Sequence, residues 1–160
     1  KNNIYYDEKN RLVFLIYRQN AAELAFNLMA SDRKADAIKV LDHYMKMVSE
    51  SSLSYDVLLY DRSMILLLDA YYRAGAGDKA KKYADKMYEN IMAEVAYFRT
   101  LKSTQQSGTS LAIVQQNLNA LNFLASTAAQ HGDTTSARKW GQSLQAAAPG
   151  IMPTQGGPNQ

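Results

Sequence analysis

Apolar residues recur at three- and four-residue steps along most of the chain, and this spacing predicts six helices joined by short polar breaks. The first covers about 8–30, with Val13, Tyr17, Leu24 and Leu28 as its inward stripe, widened by Leu12, Phe14 and Ile16. From Leu12 to Tyr17 it is apolar all round, which predicts cover on two sides. Ser31 or Asp32 caps the second helix, which runs to about 49 with Ala37, Leu41, Tyr44 and Val48 inward. The third covers about 55–74 on Val57, Tyr60, Met64, Leu67, Leu68 and Tyr71, and Gly75 and Gly77 close it. Asp78 caps a long fourth helix reaching about 102 on Ala80, Tyr83, Met87, Ile91, Val95 and Phe98. The fifth, about 109–130, carries a regular seam of Leu111, Val114, Leu118, Leu121, Ala125 and Ala128. Gly132 stops it, Asp133 or Thr134 caps the sixth, and Pro149 ends the pattern because proline cannot continue the ladder. Residues 1–148 therefore read as one helical domain, and 149–160 as a disordered tail.

The even-numbered helices carry an internal repeat. Ala37, Ala80 and Ala137 stand at equivalent places, offset by 43 and 57 residues. Five residues before each lies a turn position, Asp32, Gly75 or Gly132. Twelve before lies Ala25, Leu68 or Ala125, and thirteen before lies Leu24, Leu67 or Leu124. Four after lies Leu41, Ala84 or Gly141. A repeated helix pair implies stacked hairpins, each burying an open face on the next, and small residues let the backbones approach.

This pattern resembles the tetratricopeptide repeat, in which a leucine–small pair sits on the first helix, an alanine opens the second and a proline closes the unit. Pro149 stands at the closing position, while Ala21, Met64 and Leu121 replace the family's tryptophan. The spacing exceeds the family's period of about 34 residues, so the helices are longer. The resemblance implies an all-α fold of three stacked antiparallel helix pairs, a right-handed solenoid whose first helices line a concave face. It places on that face Gln19, Ala22, Phe26 and Met29, then Arg62, Ile65, Asp69, Tyr72 and Arg73, then Asn119, Asn122 and Ser126. The expected binding groove is centred on Gln19, Arg62, Asp69, Tyr72, Asn119, Asn122 and Ser126. The family's carboxylate-binding lysines are not reproduced.

Composition and charge narrow the function classes. The 160 residues hold 18 basic and 15 acidic side chains, and a net +3 does not mark a nucleic-acid binder. Residues 1–102 carry 16 of the basic and 14 of the acidic residues, leaving 103–160 rich in Gln, Asn, Ser, Thr and Ala. Cysteine is absent, which excludes disulfide frameworks and thiolate chemistry. No apolar run approaches the ~20 residues that span a bilayer. His43 and His131 have no metal-ligand spacing around them, and no catalytic triad or cofactor motif is legible. Gly75-Ala76-Gly77-Asp78-Lys79 lacks the third glycine and the Ser or Thr of a phosphate loop. Arg73, Lys79, Lys81, Lys82 and Lys86 are interleaved with Asp78, Asp85 and Glu89, the pattern of a solvated face. All 11 tyrosines precede residue 98, and Tyr5, Tyr6, Tyr55 and Tyr72 fit the inward stripes least.

A second resemblance lies in the opening IYYDEKNRLVFLIYRQNAAELAFNLMASDRKADAIKVLDHYMKM, with Tyr-Asp before the first helix, Arg-Gln-Asn within it and Ala-Ile-Lys-Val-Leu-Asp in the second. It is similar to the soluble C-terminal region of bacterial multi-span membrane proteins whose N-terminal part resembles protein mannosyltransferases. That implies an extracytoplasmic, periplasmic fragment without catalytic residues of its own or a cofactor. Its expected role is a non-catalytic scaffold that binds a protein or peptide, including the membrane part of its own chain. Two rival expectations are carbohydrate or acceptor recognition through exposed Tyr, Asn and Gln, and oligomerisation through the Leu111–Ala128 seam. An independent enzyme comes last.

Overall fold

The structure, a computed structural model, describes residues 8–48, 53, 62–101 and 108–147. Among the described residues it is all-helical, with no strand: α1 Glu8–Ala30, α2 Lys34–Met47, α3 Ser63–Arg73, α4 Gly77–Thr100, α5 Gly108–Gln130 and α6 Thr134–Ala147. The expected start of the third helix before Arg62 and the tail from Pro149 lie outside the described residues.

The turns after α1, α3 and α5 share one backbone. Asp32, Gly75 and Gly132 take left-handed φ angles of 60°, 84° and 82°. In each turn the following amide, of Arg33, Ala76 or Asp133, donates to the carbonyl five residues back at 2.9 Å. The left-handed residue's own amide donates to the carbonyl three back, at 3.0 to 3.1 Å. This paired closure satisfies carbonyls that a helix end leaves free. The repeat is thus written in the hydrogen bonds at the offsets seen in the sequence. Gly132→Ala isolates the cost of the left-handed turn, since no atom lies within 4 Å of the added Cβ. A side chain in that region is strained by about 1 kcal/mol, and urea unfolding should show a loss of that size.

Two expected caps are replaced. α2 starts behind Arg33 and α4 behind Ala76, and neither residue makes a side-chain cap. Ser31 Oγ donates back to the Asn27 carbonyl at 3.2 Å instead, while Asp32 is consumed by the turn and Asp78 sits in the first turn of α4. Asp133 does cap α6, its Oδ1 accepting the Ser136 amide at 3.1 Å.

The inward stripes of α2 and α4 are as the periodicity predicts, with Tyr83 half-buried and the other named residues buried. α1 differs. Val13, Tyr17 and Leu24 are exposed, as are Leu12 and Ile16, and the buried positions are Arg18, Ala22 and Ala25. A segment apolar all round has no unique inner face, so packing chose the side that small residues allow close. Arg18 enters that side because its aliphatic stem packs while its head finds a partner, Nε donating to Tyr44 Oη at 3.2 Å. Tyr44 Oη in turn donates to the Phe14 carbonyl at 3.1 Å, joining α2 to α1.

Every helix–helix contact among the described residues joins helices one or two apart in chain order: α1 to α2 and α3, α2 to α3, α3 to α4 and α5, α4 to α5 and α6, and α5 to α6. Val114, Leu118, Leu121 and Ala128 of the α5 seam are buried inside this arrangement. Leu111 and Ala125 of the same seam are half-buried.

Candidate functional site

Matching α1, α3 and α5 through the repeat offsets sorts their residues by exposure. Leu24 is 48% exposed, whereas its matches Leu67 and Leu124 are 0% and 1% exposed. Asn20 is exposed where Ser63 and Ala120 are buried, and Asn27 where Ala70 and Thr127 are buried. A second face runs the other way: Ala22 and Ile65 are buried and Asn122 is exposed. A third is open in all three helices, comprising Gln19, Arg62 and Asn119, then Glu23, Leu66 and Phe123, then Ala30, Arg73 and Gln130.

The sequence-predicted groove residues divide among these faces. Gln19, Arg62 and Asn119 lie in the open rows, and Gln19 Nε2 donates to Glu23 Oε1 at 2.8 Å. Asn122 and Ser126 lie on the exposed face of α5, where Ser126 Oγ donates to the Asn122 carbonyl at 3.0 Å. Asp69 and Tyr72 are buried at the C-terminal end of α3. Ala22 and Ile65, which the resemblance also put on the concave face, are buried.

Asp69 and Tyr72 anchor a cluster that links four helices. Arg73 Nε donates to Asp69 Oδ2 at 2.8 Å, and its guanidinium stands 5.5 Å from the centre of the Phe26 ring on α1. His131 Nε2 lies 3.6 Å from Asp69 Oδ1, and its ring stacks on Tyr72 at 5.4 Å with an interplanar angle of 7°. Tyr72 Oη donates to Asp133 Oδ2 at 3.3 Å. Lys81 of α4 donates to Ser136 Oγ at 2.9 Å and stands 3.9 Å from Asp133 Oδ1. The result is a strip from Phe26 across Arg73 and Asp69 to His131, fastened from behind by Asp133. Neighbouring cations are also matched, with Lys79 on Asp42, Lys86 on Glu89 and Lys139 on Asp85.

No family model matches the chain, and no curated protein or solved structure matches it. The chemistry of the strip therefore rests on its own side chains. Among the described residues no three His, Asp or Glu side chains gather as a metal site, and no helix is long and apolar enough to cross a membrane. What the strip presents is a guanidinium, a carboxylate, an imidazole and a phenyl ring, each held against a neighbour.

Electrostatics fix the back of the strip. Burial pushes the Tyr72 phenol far above the usual tyrosine range, and the adjacent Asp133 charge adds to this. The phenol therefore stays protonated and donating. Burial alone would raise the Asp133 carboxyl, but hydrogen bonds from the Ser136 side chain and amide, with Lys81 and Tyr72, hold it below the usual carboxylate range. A carboxyl with a depressed folded pKa stabilises the fold above its unfolded value, and that contribution is lost as pH falls through the folded value. Asp133→Ala should cost about 1 kcal/mol at neutral pH, the usual worth of an N-cap. Asp133→Asn keeps a capping oxygen, so it should retain most of that stability and show a shallower acid limb. Urea titrations from pH 7 down to pH 3 compare the three proteins.

Leu66 and Phe123 are the large apolar open-row residues that the sequence-based groove missed, beside Glu23, Ala30 and Gln130. The repeat offsets could have found them: they match Glu23, a charged residue, which marks that row as solvent-facing.

Proposed function

We propose that this chain is a non-catalytic interaction module, a right-handed, tetratricopeptide-like stack of three antiparallel helix pairs that captures a protein or peptide. Two observations support the stack. Among the described residues, helices touch only neighbours one or two places along the chain. Matched residues on one face of α1, α3 and α5 are buried in all but the first unit, and those on the opposite face in all but the last. A linear array with two ends produces that pattern, whereas a closed bundle has no ends.

The single observation that carries the binding role is the row open in every unit. Natural helices bury what they can, yet Leu66 and Phe123 stay exposed beside Arg62, Arg73, Gln19 and Asn119. Apolar anchors bracketed by guanidinium groups suit an extended segment that carries an apolar side chain and a nearby carboxylate. Arg73 is held in place by Asp69 and Phe26, so less side-chain freedom is lost when it binds. Of the tyrosines that a sugar-recognition reading would use, Tyr72 is 6% exposed, and Tyr5, Tyr6 and Tyr55 lie outside the described residues.

Peptides selected on the protein from a random library provide the test. Arg62→Ala with Phe123→Ala should weaken their binding at least tenfold in titration calorimetry. Both are surface changes expected to leave stability within about 0.5–1 kcal/mol. Selected peptides that bind the double variant as tightly as the parent protein defeat the groove. The resemblance of the opening segment adds a location to the proposal, the extracytoplasmic side of a membrane glycosyltransferase-like protein. In that setting the groove would hold a substrate or partner near an active site carried elsewhere.

A further inference from the structure

The outer face of α1 breaks the rule that the rest of the stack obeys. Leu12, Val13, Ile16, Tyr17 and Leu24 are each 44–59% exposed and follow one another at helical spacing. Asn20 and Asn27 complete the face, so positions 13, 16, 17, 20, 24 and 27 carry no charge. Where the matched positions in α3 and α5 are described, Ser63, Leu67, Ala70, Asn117, Ala120, Leu124 and Thr127 are buried, while Ile113 and Gln116, the matches of Val13 and Ile16, are half-buried. In those helices this face has a preceding helix pair to pack against. The α1 face is therefore the same packing surface left open among the described residues, and its chemistry suits a helix of this fold.

The opposite side of the described helices differs. There the exposed face of α5 presents the polar side chains of Asn122 and Ser126. Head-to-tail addition of copies would set the apolar α1 face against these amides and hydroxyls, a poor match. A two-fold arrangement sets it against itself, apolar on apolar, and closes after two copies. We infer that the outer face of α1 is a self-association surface, on which a second copy of this chain lays its own α1 antiparallel. The stripe from Leu12 to Leu24 is centred near Arg18, so the two-fold places Leu12 beside the second copy's Leu24 and brings the two Asn20 side chains close to the axis.

This inference rests on the stacked-repeat reading but not on the groove, and the experiments separate them. Sedimentation equilibrium from low to high micromolar concentration should show a dimer of the 17.9 kDa chain. Ile16→Glu with Leu24→Glu should weaken dimerisation at least tenfold, while far-ultraviolet circular dichroism and peptide capture at the groove stay unchanged. Because the chain has no cysteine, Asn20→Cys supplies a second, independent reading. Oxidation should join its copies rapidly through a disulfide, whereas Gln142→Cys on α6 should not cross-link. A parent protein that remains monomeric throughout overturns the inference, even with peptide capture intact. So does a dimer that survives the double glutamate variant, or equal cross-linking at the two cysteine sites. Loss of peptide selection with a normal dimer overturns the groove alone.

Discussion

Trp140→Ala should cost about 3–5 kcal/mol, the range for truncating a fully buried aromatic side chain. Trp140 on α6 is 0% exposed and heads the set of largest buried side chains. Its repeat matches, Val40 and Tyr83, are only half-buried. With folded domains stable by about 5–15 kcal/mol in total, the variant should melt far earlier or populate the unfolded state at 37 °C. Trp140→Phe makes the complementary measurement. Among the described residues the indole Nε1 is buried without a hydrogen-bond partner, so phenylalanine loses packing but also sheds an unmatched donor. It should cost about half as much as alanine or less, since an unmatched buried donor carries a penalty of about 1–3 kcal/mol. Equal losses for the two variants would mean that ring volume alone governs the site.

Local chemistry was legible in the sequence wherever one residue type has one physical use. Gly75 and Gly132 announced left-handed turns, and Asp133 or Thr134 announced the cap that Asp133 supplies. The shared spacing of Ala37, Ala80 and Ala137 marked inward positions, of which the first two are fully buried and the third half-buried. α1 shows where such reasoning stops. Its apolar residues surround the helix between Leu12 and Tyr17, so periodicity alone favoured the stripe through Val13, Tyr17 and Leu24. The helix in fact turns Ala22 and Ala25 inward with the stem of Arg18. Small side chains contribute little to a hydrophobic pattern, yet they set how near a neighbour can come. Tyr72 and Asp69 illustrate the same limit for the candidate site. Their register suggested a groove-lining role, but Tyr72 is held by His131 and Asp133, both supplied by a turn about 60 residues away in the chain. Long-range hydrogen bonds of this kind leave no trace in local spacing.

Ala80→Leu should cost about 2–3 kcal/mol, near the upper end for overpacking a well-filled core. Ala80 is fully buried in the first turns of α4, as its match Ala37 is in α2, while the third member, Ala137, is only partly buried. Leucine and alanine have nearly the same helix propensity, so the change isolates the space between helices. At Ala80 and Ala37 the three added carbons must push helices apart or take strained rotamers. Ala137→Leu should cost about 1 kcal/mol or less, because the partly open site gives the larger side chain room toward solvent. The graded series, measured by urea unfolding of the three variants, tests whether alanine is needed for close approach or merely for helix formation. A flat series, with all three losses near zero, would mean that the helices are not held at the short separation on which the proposed nesting of successive pairs depends. Losses that follow burial would tie the stack to those methyl groups, since the same substitution would then be costly only where another helix lies against it.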